Sequence, residues 1–137
     1  RRQYVESIVC VNRRVRRFAR RIEILDPTAI VVFQADHGSG FEMVGDRPMA
    51  RWTYAMIDER TSIFNLVRVP QQCRRWLRPD LSQINTMRLV FACLEGRPPS
   101  YVEERTFLGV YENNPDFGRV RDVTEQLRKG GETQVPR

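Results

Sequence analysis

The spacing of hydrophobic and polar positions along the chain predicts its helices and strands. Residues 4–25 carry apolar side chains at intervals of three and four, which places them on one helix face: Val11, Val15, Phe18, Ile22 and Leu25. Asp26-Pro27 ends this helix, because proline disfavours helical geometry in the residue before it. Residues 29–33 (AIVVF) are apolar without polar alternation, which is typical of a strand buried on both faces of a parallel sheet covered by helices.

The middle of the chain predicts a second strand and a second helix. The strand lies in residues 62–70 (SIFNLVRVP) and ends at Pro70. Ser82 is a suitable N-cap for a helix that runs to about Leu94 and ends at Gly96. We expect the buried side of that helix to consist of Ile84, Met87, Leu89, Val90 and Cys93.

The last third of the chain predicts shorter elements. Residues 105–112 (RTFLGVYE) indicate a strand, and DFGRVRDVTEQL indicates a strand edge followed by a short helix, whereas residues 41–60 show no clear pattern. Helices alternating with buried strands and polar loops predict an α/β fold. We expect one structured segment over residues 1–125 and a polar, flexible tail over residues 126–137.

The first predicted strand runs into ADHGSG, residues 35–40, which contains the single histidine of the chain. Ligand sites in open α/β sheets lie at the carboxyl ends of strands. The carboxylate of Asp36 and the imidazole of His37 are good ligands for a divalent metal, and the glycines allow a turn and a close backbone approach. The alternative is a solvated loop in which the aspartate merely caps a turn.

The number of available ligands limits the metal hypothesis. A catalytic zinc site usually has about three protein ligands. Glu42, Asp46 or Asp80 could contribute, but nothing in their spacing requires it. We therefore expect the missing ligands to lie outside this chain, which also begins without a methionine.

An oxyanion-hole segment of an α/β-hydrolase is a competing interpretation of VVFQADHGSG. That chemistry also requires a Gly-x-Ser-x-Gly nucleophile elbow and a separate histidine for the triad. The chain has no such elbow and no second histidine, so this interpretation is disfavoured.

Composition is that of a globular protein, with 41% hydrophobic and 29% charged residues and a net charge of +6. Of the 23 Lys and Arg residues only Lys129 is a lysine. The arginine-rich helix segment 13–21 could bind an anionic polymer or a membrane surface, although a solvated outer helix face would show the same pattern. No apolar run approaches the roughly 20 residues that cross a bilayer.

The cysteines argue against a structural zinc site. Cys10, Cys73 and Cys93 are widely spaced and form no C-x-x-C pair. One disulfide remains possible, and the sequence leaves both the pairing and the redox compartment open. Buried cysteines of this kind are more often small hydrophobic residues than nucleophiles.

The order of segments resembles the C-terminal part of the alkaline phosphatase superfamily, in its sulfatase-like branch of sulfatases, lipoteichoic acid synthases and phosphoethanolamine transferases. The resemblance covers about residues 4–120. It rests on the following segments, in chain order: YVESIVCVNRRVRRFARRI, PTAIVVFQADHG, ERTSIFNLVRVP, LSQINTMRLVFACLEG and EERTFLGVY.

The resemblance implies a partial alkaline-phosphatase-like sheet flanked by helices. It implies that Asp36 and His37 ligate one divalent metal (Zn, Mn, Mg or Ca) and that no catalytic residue lies in this fragment, because the nucleophile comes from upstream. It also implies a membrane-anchored parent enzyme on the extracytoplasmic side of the membrane. The substrate would be a sulfate or phosphate ester that can be linked to a lipid or a glycan.

The same resemblance gives the expected partners. The upstream part of the same polypeptide would complete the site, no nucleic acid is expected, and an exposed sheet edge could lead the fragment to self-associate. Two positions depart from the family pattern. Ser39 stands where relatives often carry Glu, and Asn85 stands where many carry Asp.

Overall fold

The computed structural model describes residues 2–41 and 47–132. Its elements in chain order are helix α1 (Arg2–Leu25), strand β1 (Val31–Gln34), a 3₁₀ helix (Met49–Arg51), α2 (Tyr54–Thr61), β2 (Asn65–Arg68), a 3₁₀ helix (Gln71–Trp76), α3 (Gln83–Leu94), β3 (Phe107–Gly109), β4 (Val120–Asp122) and α4 (Thr124–Glu132). The mixture of helices and strands confirms the predicted α/β class at a coarse level.

The chain divides into two compact units. The first contains residues 1–34 and 65–102, and the second contains residues 35–64 and 103–137. Each unit therefore combines two segments that are distant in sequence. The described residues of each unit include one two-stranded antiparallel sheet.

In the first unit, β1 pairs with β2 in antiparallel orientation, with Val31 opposite Arg68 and Gln34 opposite Asn65. The predicted parallel sheet with strands buried on both faces is wrong for this strand. Only Val31 of β1 is buried, and the rest of the strand is partly exposed. A short apolar run does not distinguish the two arrangements, because pairing depends on a segment more than 30 residues away.

The core of the first unit lies between β2 and α3. It contains Val69, Cys73, Leu81, Leu89 and Cys93, with Trp76 and Tyr101 packed against it. A disulfide joins Cys73 to Cys93, while Cys10 is a free, exposed thiol on α1. The predicted possibility of one bridge is thus realised inside the core.

Helix α3 begins and ends as the sequence indicates, but its buried face differs. Ser82 is the N-cap, and its hydroxyl accepts a hydrogen bond from Asn85 N at 3.3 Å. Ile84 is 63% exposed and Met87 is also exposed, so their predicted burial is wrong. The buried residues are Asn85, Thr86, Leu89, Ala92 and Cys93.

Buried Asn85 is accommodated because its side chain hydrogen-bonds the backbone of Val102. Its amide donates to Val102 O at 2.9 Å, and its Oδ1 accepts from Val102 N at 3.0 Å. The hydroxyl of Thr86 accepts from the Asn65 amide at 3.1 Å. Hydrogen bonding of this kind compensates for the loss of water contacts.

The second unit has α2, α4 and the β3–β4 pair around a core of Met49, Trp52, Met56, Ile57 and Val123. At the start of α4 the Asp122 carboxylate accepts hydrogen bonds from Thr124 N at 3.0 Å and Thr124 Oγ1 at 2.6 Å. These bonds, with a further one from Arg105, lower the pKa of Asp122 to about 2. Helix α4 continues to Glu132, into the segment predicted as a flexible tail.

Helix α1 matches the predicted span and ends before Pro27. Asp26 N donates to Ile22 O at 2.7 Å and completes the last turn. None of the residues of this helix, which is described over its whole length, is buried. Among the described residues, no helix combines the length and the apolar character of a membrane span.

Candidate functional site

The loop after β1 carries Asp36 and His37 and is fixed to the C-terminal end of α2 by backbone hydrogen bonds. Ala35 N donates to Phe64 O at 2.9 Å, and Gly38 N donates to Arg60 O at 2.7 Å. The two predicted ligands lie between these bonds. Their backbone position is therefore set by α2 and the segment that follows it.

Gly38 allows the close approach that was expected of the glycines in this loop. A Cβ atom at position 38 would lie 2.1 Å from Glu59 O, 2.8 Å from Ser62 O and 2.9 Å from Arg60 O. Atoms at these separations overlap, and all three are backbone oxygens. The requirement for glycine here comes from space, since the positive-φ glycines of the described chain are Gly96 and Gly118.

Glu59 holds the next part of the loop. Its carboxylate accepts a hydrogen bond from the Ser39 hydroxyl and another from Phe41 N at 3.1 Å. Ser39 thus has a structural contact within the second unit.

The side chains of Asp36 and His37 converge. Asp36 Oδ2 lies 3.5 Å from His37 Nε2, and the two side chains are 88% and 49% exposed. Ligand atoms about 2 Å from a tetrahedral ion lie roughly 3.3 Å from each other. The pair therefore matches, in chemistry and separation, two adjacent positions of a metal coordination sphere.

The other ring nitrogen of His37 has two competing neighbours. His37 Nδ1 lies 2.7 Å from Gly38 O and 2.8 Å from Arg60 Nη1. Donation to the carbonyl needs a proton on Nδ1, whereas acceptance from the guanidinium needs a lone pair there. Only the first tautomer leaves Nε2 unprotonated and able to ligate a metal, so the Arg60 contact opposes the ligating form.

Arg60 also links the loop to a distant part of the second unit. Its Nη2 donates to the Tyr111 hydroxyl at 2.9 Å. Arg60 and Tyr111 were not singled out in the sequence, because neither has a motif and both contacts depend on the tertiary fold. Arg60 is 23 residues from His37, and Tyr111 is 51 residues from Arg60.

A third ligand does not accompany the pair within the described chain. No group of three His, Cys, Asp or Glu side chains able to hold a metal ion is found among residues 2–41 and 47–132. Glu42 and Asp46 lie outside the described residues, and Asp80 belongs to the first unit. Within the described residues, Asp36 and His37 thus form a pair of candidate ligands that no third such side chain joins.

Comparison of this chain with protein-family models, curated proteins and solved structures found no match.

Proposed function

We propose that this chain is the C-terminal portion of a metal-dependent, sulfatase-like enzyme that acts on sulfate or phosphate esters by hydrolysis or group transfer. The observation that carries the proposal is the 3.5 Å separation of Asp36 Oδ2 and His37 Nε2 on a loop fixed to α2. The order of sequence segments described above supports the same family and an alkaline-phosphatase-like sheet in the whole enzyme.

In this proposal the two side chains hold one divalent ion together with ligands from an upstream segment. When bound, such an ion would supply Lewis-acid chemistry to the ester oxygens and to an attacking hydroxyl. The chain itself supplies and orients the two ligands: Gly38 O can accept the Nδ1 proton of His37, which leaves Nε2 free to bind. The nucleophile comes from upstream, so the isolated chain is inactive.

The disulfide supports an extracytoplasmic location for this enzyme. Structural disulfides form and persist in oxidising compartments and are rare in the cytosol. Cys73 is fully buried and bridged to Cys93 within the core of the first unit, as a structural bridge would be. The upstream reading frame is expected to encode transmembrane helices and a Thr, Ser or Cys nucleophile at a strand end.

Metal titration tests the half-site directly, because the one histidine of the chain gives a single set of imidazole NMR signals. With two ligands, Zn²⁺ is expected to shift these signals with an affinity weaker than micromolar. Asp36→Asn and His37→Ala should each abolish the saturable binding, whereas Asp80→Asn should leave it unchanged. Submicromolar affinity in the isolated chain, or binding indifferent to Asp36→Asn, would contradict the proposal.

The same Zn²⁺ titration of an Arg60 variant gives a second test. Arg60→Gln removes a positive charge beside the ion and ends the competition for His37 Nδ1. Zn²⁺ binding should therefore become tighter in this variant, while Arg119→Gln, an exposed arginine elsewhere in the second unit, should have no such effect. Weaker binding in Arg60→Gln would show that the guanidinium supports the ligating form of His37.

A further inference from the structure

Helix α1 carries an apolar stripe that its own unit leaves largely uncovered. With 100° between successive residues, the large apolar side chains of the stripe fall within about 100° of the helix circumference. Phe18 contacts Phe33 at 5.9 Å between ring centroids, yet it is still 56% exposed. The exposed members of the stripe are Tyr4, Ile8, Val11, Phe18 and Leu25.

The rest of the helix surface is strongly basic. Between Glu6 and Glu23 there is no acidic residue, and six arginines of that segment lie outside the stripe: Arg13, Arg14, Arg16, Arg17, Arg20 and Arg21. By the same helical geometry Arg14 and Arg21 border the stripe on one side and Arg16 lies toward the other.

A second group of arginines extends the basic surface at the C-terminal end of α1. Arg74 Nη2 lies 3.5 Å from Glu23 Oε1, which places the 3₁₀ helix Gln71–Trp76 beside the last turns of α1. Arg75 and Arg78 follow, and both are exposed. The first unit thus presents an apolar stripe together with a concentration of positive charge.

We propose that α1 lies in the surface of an anionic lipid bilayer, with its apolar stripe among the acyl chains and its arginines at the lipid phosphates. Basic helices with a pronounced apolar face bind membranes in this orientation. A nucleic acid or another anionic polymer would neutralise the arginines but give the stripe no apolar partner. A second copy of α1 would cover the stripe but would bring two sets of six arginines together.

The proposal is independent of the metal site, because it rests only on residues of the first unit. It is tested by flotation of the whole chain with vesicles of phosphatidylcholine alone, or of phosphatidylcholine with about a quarter phosphatidylglycerol. Binding is expected only to the anionic vesicles and should weaken as salt is raised.

A charge variant with a matched control tests the role of the arginines. Each basic side chain at an anionic surface strengthens binding about fivefold. Glutamine at Arg13, Arg14, Arg17 and Arg21 should therefore weaken vesicle binding a hundredfold or more. Glutamine at four exposed arginines outside the helix should weaken it far less, with the same change in net charge: Arg51, Arg97, Arg119 and Arg128.

Substitutions in the apolar stripe distinguish binding to a lipid surface from binding to a polyanion. Ile8→Asn with Val11→Asn changes two exposed stripe residues, and Val5→Asn with Val9→Asn makes a closely similar change at exposed positions of the same helix away from the stripe. The first pair should weaken vesicle binding at least about tenfold, the second should not, and neither should change binding to heparin. Circular dichroism checks that each variant keeps its helices.

Three results would overturn the proposal. The first is equal binding to neutral and anionic vesicles, or binding to neither. The second is vesicle binding that both asparagine pairs leave unchanged, which would indicate a charge-only polyanion site. The third is concentration-dependent dimerisation that Ile8→Asn with Val11→Asn abolishes while vesicles remain unbound, since a second copy would then cover the stripe.

Discussion

At the residue scale, position 38 requires glycine because backbone oxygens at the end of α2 occupy the space of a side chain. Gly38→Ala would place its Cβ 2.1 Å from Glu59 O, so either the loop or the helix end must move. Overpacking of this kind costs about 1–3 kcal/mol. We expect Gly38→Ala to lower the unfolding free energy by that amount in denaturant titration followed by Trp52 fluorescence.

Gly109 is the matched control for this substitution. A Cβ at position 109 would meet only Arg119 O, at an ordinary contact distance of 3.8 Å. Gly109→Ala should therefore change the unfolding midpoint little. Equal midpoints for Gly38→Ala and the unmodified chain would show that the loop is not held against α2 as described.

The candidate site was only partly predictable at this scale. Asp36 and His37 were identified because they follow an apolar run in a glycine-containing loop, which is information contained in a few adjacent residues. Arg60 and Tyr111 belong to an ordinary helix and a loop, and only the fold brings Arg60 to His37. Such contacts between residues distant in sequence cannot be inferred from a local sequence pattern.

At the element scale, the start of α4 is expected to confer acid sensitivity on the second unit. The hydrogen bonds of Thr124 lower the pKa of Asp122 from its usual 3.8 to about 2 in the folded state. A lowered pKa means that this carboxylate stabilises the fold above pH 4 and that the contribution disappears as the pH falls to about 2. The melting temperature of the second unit should fall across this interval.

In Asp122→Asn the melting temperature of the second unit should fall less as the pH is lowered, because asparagine can still accept the Thr124 hydrogen bonds but does not titrate. Glu112→Gln removes an exposed carboxylate from the same unit and serves as the control. Thermal melts followed by Trp52 fluorescence at several pH values between 2 and 5 make the comparison. Identical pH profiles for Asp122→Asn and the unmodified chain would contradict this assignment.

Helices α1 and α3 were predicted well because the signals that begin and end them are local. The spacing of apolar residues, the stop at Asp26-Pro27 and the N-cap Ser82 all lie within or beside the helices themselves. The pairing of β1 with β2 was not predictable in the same way. Burial on α3 also departed from the apolar pattern, because Asn85 finds its partner in the backbone of Val102, 17 residues away.

At the scale of the whole molecule, each of the two units contains one of the two tryptophans of the chain, Trp76 in the first and Trp52 in the second. The variants Trp52→Phe and Trp76→Phe therefore allow the unfolding of each unit to be followed by fluorescence. The disulfide is expected to stabilise the first unit. It closes a loop with a sequence separation of 20 residues, for which the loss of unfolded-chain entropy amounts to about 3 kcal/mol.

Replacing both Cys73 and Cys93 by Ser should lower the unfolding free energy reported by Trp76 by about that amount. Cys10→Ser, which removes the exposed free thiol, should leave it unchanged. If the double variant and the unmodified chain unfold at the same denaturant concentration, the bridge does not contribute to the stability of the core.

Gly38 is required by the fold, because backbone atoms occupy the space around it, whereas Asp36 and His37 are proposed for their chemistry. The three oxygens that exclude a Cβ belong to the main chain of residues 59–62, and they remain whatever side chains those residues carry. The side chains at positions 36 and 37 are instead 88% and 49% exposed. In evolutionary drift the glycine would persist after the aspartate and histidine had been replaced, so a descendant can keep the loop while losing both candidate ligands. Because Gly38 sets the backbone, residues 36 and 37 are also two positions at which protein engineering can introduce other ligand side chains while the backbone stays unchanged.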